Sequence, residues 1–119
     1  MPERDPQITL QPHPGRVVVT FGGRTVADTR RALVMRAPGT PPVAYIPRAD
    51  VDMTLLRRTP HTTHCPYKGD ASYFSIEAGE RSSPNAVWTY ESPKATMAAI
   101  KDLVAFYPER VDAIEERAG

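Results

Sequence analysis

The side chains best suited to chemistry are concentrated in residues 61–70. This segment holds two of the three histidines, the single cysteine, a lysine, a tyrosine and an aspartate. Proline at position 66 and glycine at position 69 favour a turn or loop over a helix, because proline lacks an amide donor and glycine frees the backbone. Loops that hold several reactive side chains commonly carry function. We therefore predict a functional site in the 61–70 loop, while the residue types alone leave the reaction open.

Metal binding and nucleophilic catalysis are two uses of such a loop. A structural zinc ion takes about four Cys or His ligands, whereas His61, His64 and Cys65 supply three at most and no Cys-x-x-Cys pair exists. We therefore expect no metal and no other cofactor. Cys65 with His64 is the candidate catalytic pair, since a neighbouring positive charge stabilises the attacking thiolate. A buried, unreactive cysteine is the alternative.

Anion binding is a third use of the loop, and a purely structural role is the fourth. Lys68 offers an ammonium group beside the flexible backbone of Gly69, which suits a phosphate or carboxylate, although the spacing of a P-loop is absent. We rank Lys68 first among the functional candidates because an ammonium is costly to desolvate without a partner. A salt bridge to Asp70 would explain Lys68 without any ligand.

Aromatic residues on the predicted strands and one arginine complete the candidate site. Tyr45, Tyr73 and Trp88 each join a large apolar ring to a polar group, which suits the wall of a ligand pocket. Packing in the core explains the same residues equally well. Arg31, in the pair Arg30-Arg31, is a further candidate for anion contact, with solvated surface charge as the alternative.

Composition narrows the class of protein. The chain has 119 residues, enough for one domain, and its net charge of +1 argues against a nucleic-acid binder. The single cysteine excludes an internal disulfide and fits a reducing compartment. The sequence lacks the apolar segment of a signal peptide or membrane span. We therefore expect a cytoplasmic protein that binds neither nucleic acid nor membranes.

Short apolar runs between prolines and glycines predict a mainly β domain over residues 16–116, preceded by a flexible arm over residues 1–15. Ser92 and Pro93, followed by apolar residues at helical spacing, predict one short helix after Pro93. The expected strands are residues 16–21, 24–27, 32–36, 43–46, 54–58, 71–77, 86–90 and 104–108, with residues 110–116 as an edge strand.

Several short motifs resemble, in order, those of a known family. They are RALV at 31–34, YIP at 45–47, THCPYKG at 63–69, ASYFS at 71–75, AVWTY at 86–90 and VAFYPERV at 104–111. Together they resemble the bacterial domain of unknown function 427 (DUF427) over roughly residues 14–114. The resemblance implies a β-tent-like fold of two small antiparallel sheets, similar to methionine sulfoxide reductase B, whose zinc-binding Cys-x-x-Cys pairs this sequence lacks.

The resemblance also bears on function. The family is sometimes labelled a nucleotidyltransferase, which implies a transferase, although the Gly-Ser and paired-aspartate pattern of that fold is absent here. We predict a small-ligand pocket around the 61–70 loop, with a nucleotide or another anionic metabolite as the partner. A non-catalytic interaction module is the alternative, and whether the protein is an enzyme stays open. Exposed strand edges are compatible with a monomer or a weak homodimer.

Overall fold

Strands dominate residues 8–118, the part of the chain that the computed structural model describes. These residues form β1 (Thr9–Pro12), β2 (Arg16–Phe21), β3 (Arg24–Thr29), β4 (Leu33–Arg36), β5 (Val43–Tyr45), β6 (Leu56–Cys65), β7 (Gly69–Ala78), β8 (Arg81–Thr89), β9 (Val104–Phe106) and β10 (Ala113–Arg117). Short 3₁₀ helices lie between them at Arg48–Asp50, Met53–Leu55, Ala95–Ile100 and Pro108–Arg110. The prediction of a mainly β domain is confirmed.

The strands form three antiparallel sheets in the described residues, where the sequence predicted two. The central sheet has the order β6-β7-β8-β9, and the two smaller sheets are the β1 sheet (β1-β4-β5) and the β2 sheet (β10-β2-β3). Within the β1 sheet, Thr9–Pro12 adds an edge strand by pairing with β4. The predicted flexible arm is therefore wrong for these residues, and residues 1–7 of that arm lie outside the described part of the chain.

β7, β8 and β9 of the central sheet contribute to two buried cores, one on each face of the sheet, whereas most of β6 is exposed. One core, shared with the β1 sheet, contains the register neighbours Tyr73, Trp88 and Ala105. The other core, shared with the β2 sheet, contains the adjacent row of Phe74, Val87 and Phe106. Because side chains alternate between the two faces of a strand, the apolar runs in β7, β8 and β9 supply both cores at once.

The 61–70 segment is not the loop that we predicted, because most of it belongs to the long β6–β7 hairpin. β6 continues to Cys65 and β7 begins at Gly69, so the turn is confined to residues 66–68. Pro60 is accommodated because β6 is an edge strand and the register shifts between Thr59 and Thr62, leaving Pro60 in a bulge. Of the functional candidates in this segment, His64 and Cys65 are therefore held on β6, whereas Lys68 lies in the turn.

The helix predicted after Pro93 is a 3₁₀ segment instead of an α-helix. Ala95–Ile100 is interrupted at Met97, whose φ of −115° and ψ of 21° are not helical. Met97 and Ile100 are buried, so the apolar spacing correctly identified the side that packs. The segment ends at Ile100, and Asp102, with a positive φ of 65°, turns the chain towards β9.

Most other predicted strands are confirmed with shifted ends. β8 begins five residues earlier than predicted, and the predicted tail strand is β10. Pro84 lies within β8, where a register shift and the positive φ of Asn85 (50°) mark a bulge. In residues 8–118 no helix has the length and hydropathy that crossing a membrane requires.

Candidate functional site

A cavity of about 570 Å³, which we call the junction cavity, lies where the three sheets meet. Its walls come from β2 and β10, from β4, β5 and the loop that joins them, and from β8 and β9. The lining residues are Val17, Val19, Met35, Ala37, Thr40, Pro41, Pro42, Val43, Ala44, Ile46, Lys68, Trp88, Phe106, Tyr107, Pro108, Glu109, Ile114 and Glu116. The surface is mainly apolar, and its size is that of pockets that hold small organic molecules.

Trp88 and Tyr107 form an aromatic corner of the junction cavity, with ring centroids 4.5 Å apart and planes tilted by 45°. The Trp88 indole N–H donates to the Tyr45 hydroxyl oxygen at 3.2 Å. Tyr45 is only 1% exposed, and burial raises the pKa of its hydroxyl to about 12. The sequence suggested Tyr45 as part of the pocket wall. In the structure Tyr45 does not line the cavity and instead orients Trp88 through this hydrogen bond.

A chain of hydroxyl groups supports the same corner. The Tyr73 hydroxyl lies 3.2 Å from that of Tyr107 and 3.0 Å from the Thr63 hydroxyl. Burial, followed by the hydrogen bond with Tyr73, raises the pKa of Tyr107 to about 12. The His61 ring packs on Tyr73 with centroids 4.5 Å apart. Tyr73 is thus buried behind Tyr107, and it is the Tyr107 side chain that reaches the cavity.

Lys68 lines the junction cavity from the turn of the β6–β7 hairpin. The turn is tethered, since the Lys68 carbonyl accepts the Lys94 backbone N–H at 2.9 Å. Gly69 adopts a φ of 117°, and a Cβ there would lie 3.3 Å from the Ser92 carbonyl oxygen. Glycine at this position therefore permits both the turn and its close contact with the 92–94 segment.

The alternative explanation of Lys68, a salt bridge to Asp70, is not supported because that pair does not form. Asp70 instead binds His64, with 2.6 Å between its Oδ1 and the imidazole Nδ1. Among the residues that the structure describes, no carboxylate lies within ion-pair distance of the Lys68 ammonium; the pairs formed there involve other cations. Asp70 therefore does not serve as the ion-pair partner that would explain Lys68 without a ligand.

Two carboxylates lie on the lining of the junction cavity, at Glu109 and Glu116. Glu116 accepts a hydrogen bond from His13 Nε2 at 2.9 Å, and His13 Nδ1 accepts the Gly15 backbone N–H at 2.9 Å. That second bond assigns the proton of the neutral ring to Nε2. Sequence reasoning missed both carboxylates because neither lies close to the 61–70 segment along the chain.

Cys65 and His64 do not form a catalytic pair in this structure. Neighbouring residues on a strand point to opposite faces, and the two side chains follow this rule. His64 is on the exposed face with Asp70, with 66% of its side chain accessible. Cys65 is half-buried on the opposite face, two residues after Thr63.

Arg31 does not line the junction cavity. Its guanidinium binds the Asp50 carboxylate at 3.1 Å and 3.2 Å, and Asp50 also accepts the Thr29 hydroxyl at 2.6 Å. This contact holds the chain between β3 and β4 to the Arg48–Asp50 turn. Of the five predicted ligand contacts, the cavity brings together Lys68 and Trp88, while Tyr45 and Tyr73 support its wall from behind.

Sequence reasoning also missed Tyr107 and the proline-rich loop of residues 38–42. Tyr107 lies within the predicted strand 104–108 and within the motif VAFYPERV, and neither pattern identifies it as a residue of the site. Pro38, Pro41 and Pro42 stand between two predicted strands, but the sequence does not indicate what the segment between those strands faces. No group of three or more possible metal ligands occurs in residues 8–118.

These observations define a small domain of three antiparallel sheets with an apolar cavity at their junction and a single lysine on its lining. The chain belongs to the family of the domain of unknown function 427 (DUF427), whose sequence profile matches residues 9–117. The suspected resemblance is therefore confirmed. No curated protein matches the chain.

Proposed function

We propose that this protein binds a small organic anion in the junction cavity, with the Lys68 ammonium as its counter-ion. The observation that carries the proposal is a lysine without a carboxylate partner among residues 8–118, on the lining of an otherwise mainly apolar cavity. An ammonium next to apolar surface loses hydration without gaining a partner. An anionic ligand supplies that partner.

The surrounding residues favour such a ligand in two further ways. The aromatic corner of Trp88 and Tyr107 offers large apolar faces on which a flat group can pack. Both rings are held by hydrogen bonds to buried tyrosines, Tyr45 and Tyr73. Walls that are already fixed require little ordering when the ligand binds, which favours affinity.

A thermal-shift screen of nucleotides and small anionic metabolites tests the proposal, because a ligand that binds only the folded state raises its stability. For any hit, Lys68→Met should weaken binding by about 1.5–3 kcal/mol, the range for a hydrogen bond to a charged group, with little loss of fold. Lys101→Met is the matched control, since Lys101 is exposed and does not line the cavity. Equal weakening by both variants, or no hit in a broad panel, would contradict the proposal.

The exposed edge of the central sheet favours a second candidate, a non-catalytic interaction module. β6 is an edge strand of ten residues, and Tyr67 at its turn is 41% exposed. A partner strand adding to β6 would extend the sheet. Light scattering over a range of protein concentrations separates a monomer from a weak homodimer, and Thr62→Pro on β6 should abolish a dimer that pairs through this edge. Transferase activity stays a prediction from the resemblance.

A further inference from the structure

We infer that the ligand of the junction cavity has a flat, mainly apolar body and one anionic group, and that it is not a polyphosphate nucleotide. The inference rests on the proposed function and narrows its ligand class. Three properties of the lining carry it: the balance of charges, the supply of backbone donors, and the chemistry of the walls.

The charges of the lining match a single anionic group. Lys68 is the one cationic side chain among the described residues that line the junction cavity, whereas Glu109 and Glu116 carry the opposite sign. Arg110 approaches the Tyr107 ring, but it does not line the cavity and its guanidinium donates to the Asn85 carbonyl at 2.9 Å. A polyphosphate would bring several negative charges to one ammonium and two carboxylates, so most of its charge would be uncompensated.

Several residues of the lining offer no free backbone donor for phosphate oxygens. Phosphate sites commonly use several backbone N–H groups that point at the anion. Prolines at 41, 42 and 108 have no N–H. The Thr40 N–H and hydroxyl both donate to the Ala37 carbonyl, at 3.3 Å and 3.1 Å. The Tyr107 N–H is likewise used, since it donates to the Ala86 carbonyl at 3.0 Å.

The walls favour an apolar body. Each sheet contributes aliphatic or aromatic side chains, including Val19 from β2, Met35 from β4 and Phe106 from β9. Removing an apolar ligand surface from water against such walls is favourable. The Trp88–Tyr107 corner gives a flat ring two faces to pack against, while Lys68 reaches the same cavity from the hairpin turn. An aromatic carboxylate has both features.

Calorimetry and thermal shift with 2-naphthoate, 2-naphthol, AMP and ATP test the inference on the full chain. We expect 2-naphthoate to bind with the highest affinity of the four and ATP to bind no better than AMP. Lys68→Met should raise the Kd for 2-naphthoate by about tenfold or more, as expected for losing a charge-assisted hydrogen bond, and should leave the weaker binding of 2-naphthol unchanged. Lys101→Met should change neither.

A second variant tests the walls independently of the charge. Ala37 lies at the start of the β4–β5 loop and lines the cavity, so Ala37→Phe should fill part of the space with little risk to the fold and weaken both naphthalene ligands. Binding of 2-naphthoate that neither Lys68→Met nor Ala37→Phe weakens would overturn the inference. Lys68-dependent binding of ATP that exceeds that of 2-naphthoate would also overturn it while leaving the proposed function standing. No binding by these ligands or by the wider screen would remove the proposed function itself.

Discussion

Both faces of the β6–β7 hairpin carry hydrogen-bonded polar side chains, but the two faces differ in how far those side chains are buried. On the inner face, Tyr73 is buried in the core shared with the β1 sheet, and its hydroxyl lies 3.0 Å from that of the exposed Thr63 and 3.2 Å from that of Tyr107. On the outer face, His64 and Asp70 are joined at 2.6 Å, yet their side chains are 66% and 81% exposed. Burial, more than residue type, therefore separates the groups that shape the cavity from those that face solvent.

The same contrast extends to the ion pairs of the outer face. Glu91 binds both Arg58, at 2.6 Å, and Arg48, at 3.1 Å. Both guanidinium groups also pack over the Phe74 ring. Exposed ion pairs contribute little to stability, whereas a buried hydroxyl that loses its partner incurs a desolvation cost. The comparison predicts that truncating buried side chains of the inner face lowers stability, and that removing the ion-paired Glu91 chiefly changes the pH dependence of stability.

The largest effect should come from truncating the inner face. Tyr73→Ala removes a ring that is 5% exposed and should lower the free energy of unfolding by about 3–5 kcal/mol, the range for deleting a buried aromatic side chain. The matched change on the outer face, His64→Ala, should cost no more than about 0.5 kcal/mol. Urea unfolding of both variants makes the measurement. Similar costs on the two faces would break the comparison.

A smaller loss of stability should follow from a substitution at the turn that joins β6 to β7. Gly69→Ala places a side chain at a φ of 117° and close to the Ser92 carbonyl, and should cost about 1–3 kcal/mol. Gly39→Ala is the control, because Gly39 also has a positive φ (78°) but no atom within 4 Å of the added Cβ. Gly69→Ala should cost more and should also weaken any ligand that depends on Lys68. Equal costs would mean that the contact with the 92–94 segment is unimportant.

The ion-paired Glu91 and the buried Tyr45, which lies on β5 in the core behind the inner face, should affect the pH dependence of stability at opposite ends of the pH range. Hydrogen bonds from Arg58 and then Arg48 lower the pKa of Glu91, so its stabilising contribution is present above the unfolded pKa and is lost as the pH falls below about 4.3. Burial raises the pKa of Tyr45 to about 12. Its contribution is present below the unfolded pKa of about 10 and is lost as the pH rises from there towards the folded value.

Unfolding curves between pH 3 and pH 11 test this difference. Glu91→Gln should flatten the acid limb and leave the alkaline limb unchanged, while Tyr45→Phe should flatten only the alkaline limb. Glu80→Gln, in the exposed β7–β8 turn, is the control for the acid limb. An acid limb that Glu91→Gln leaves as steep as before would show that other carboxylates control it.

The smallest effect should be that of Cys65→Ser. Cys65 is half-buried at the end of β6, and the adjacent His64 lies on the opposite face of the strand. We expect a stability change within about 1 kcal/mol and an unaltered Kd for any ligand of the junction cavity. A large loss of ligand binding or of a measured activity, with normal unfolding, would restore covalent chemistry at Cys65 as an explanation.

Local pattern was sufficient for the class of fold and for many of its strands. Runs of β-branched and aromatic residues identified β2, β4, β7 and β9, and Gly22 with Gly23 identified the β2–β3 turn, where both adopt positive φ. Those features depend on neighbours in the chain. The 61–70 segment was misassigned because proline and glycine signal a turn equally well at its centre or at its ends, and only pairing with β7 shows that Pro60 lies in an edge-strand bulge.

The sequence by itself determined a mainly β domain, its family, and two residues of the proposed site, Lys68 and Trp88. Only the tertiary structure decided that Tyr107 and the β4–β5 loop complete the junction cavity, that Asp70 binds His64 and not Lys68, and that Arg31 lies elsewhere. The physical reason is that strand alternation specifies which residues share a face, whereas the packing of three sheets specifies which faces meet. Those contacts join residues that are far apart in the chain, such as His13 and Glu116, which are 103 positions apart, and no local spacing encodes them.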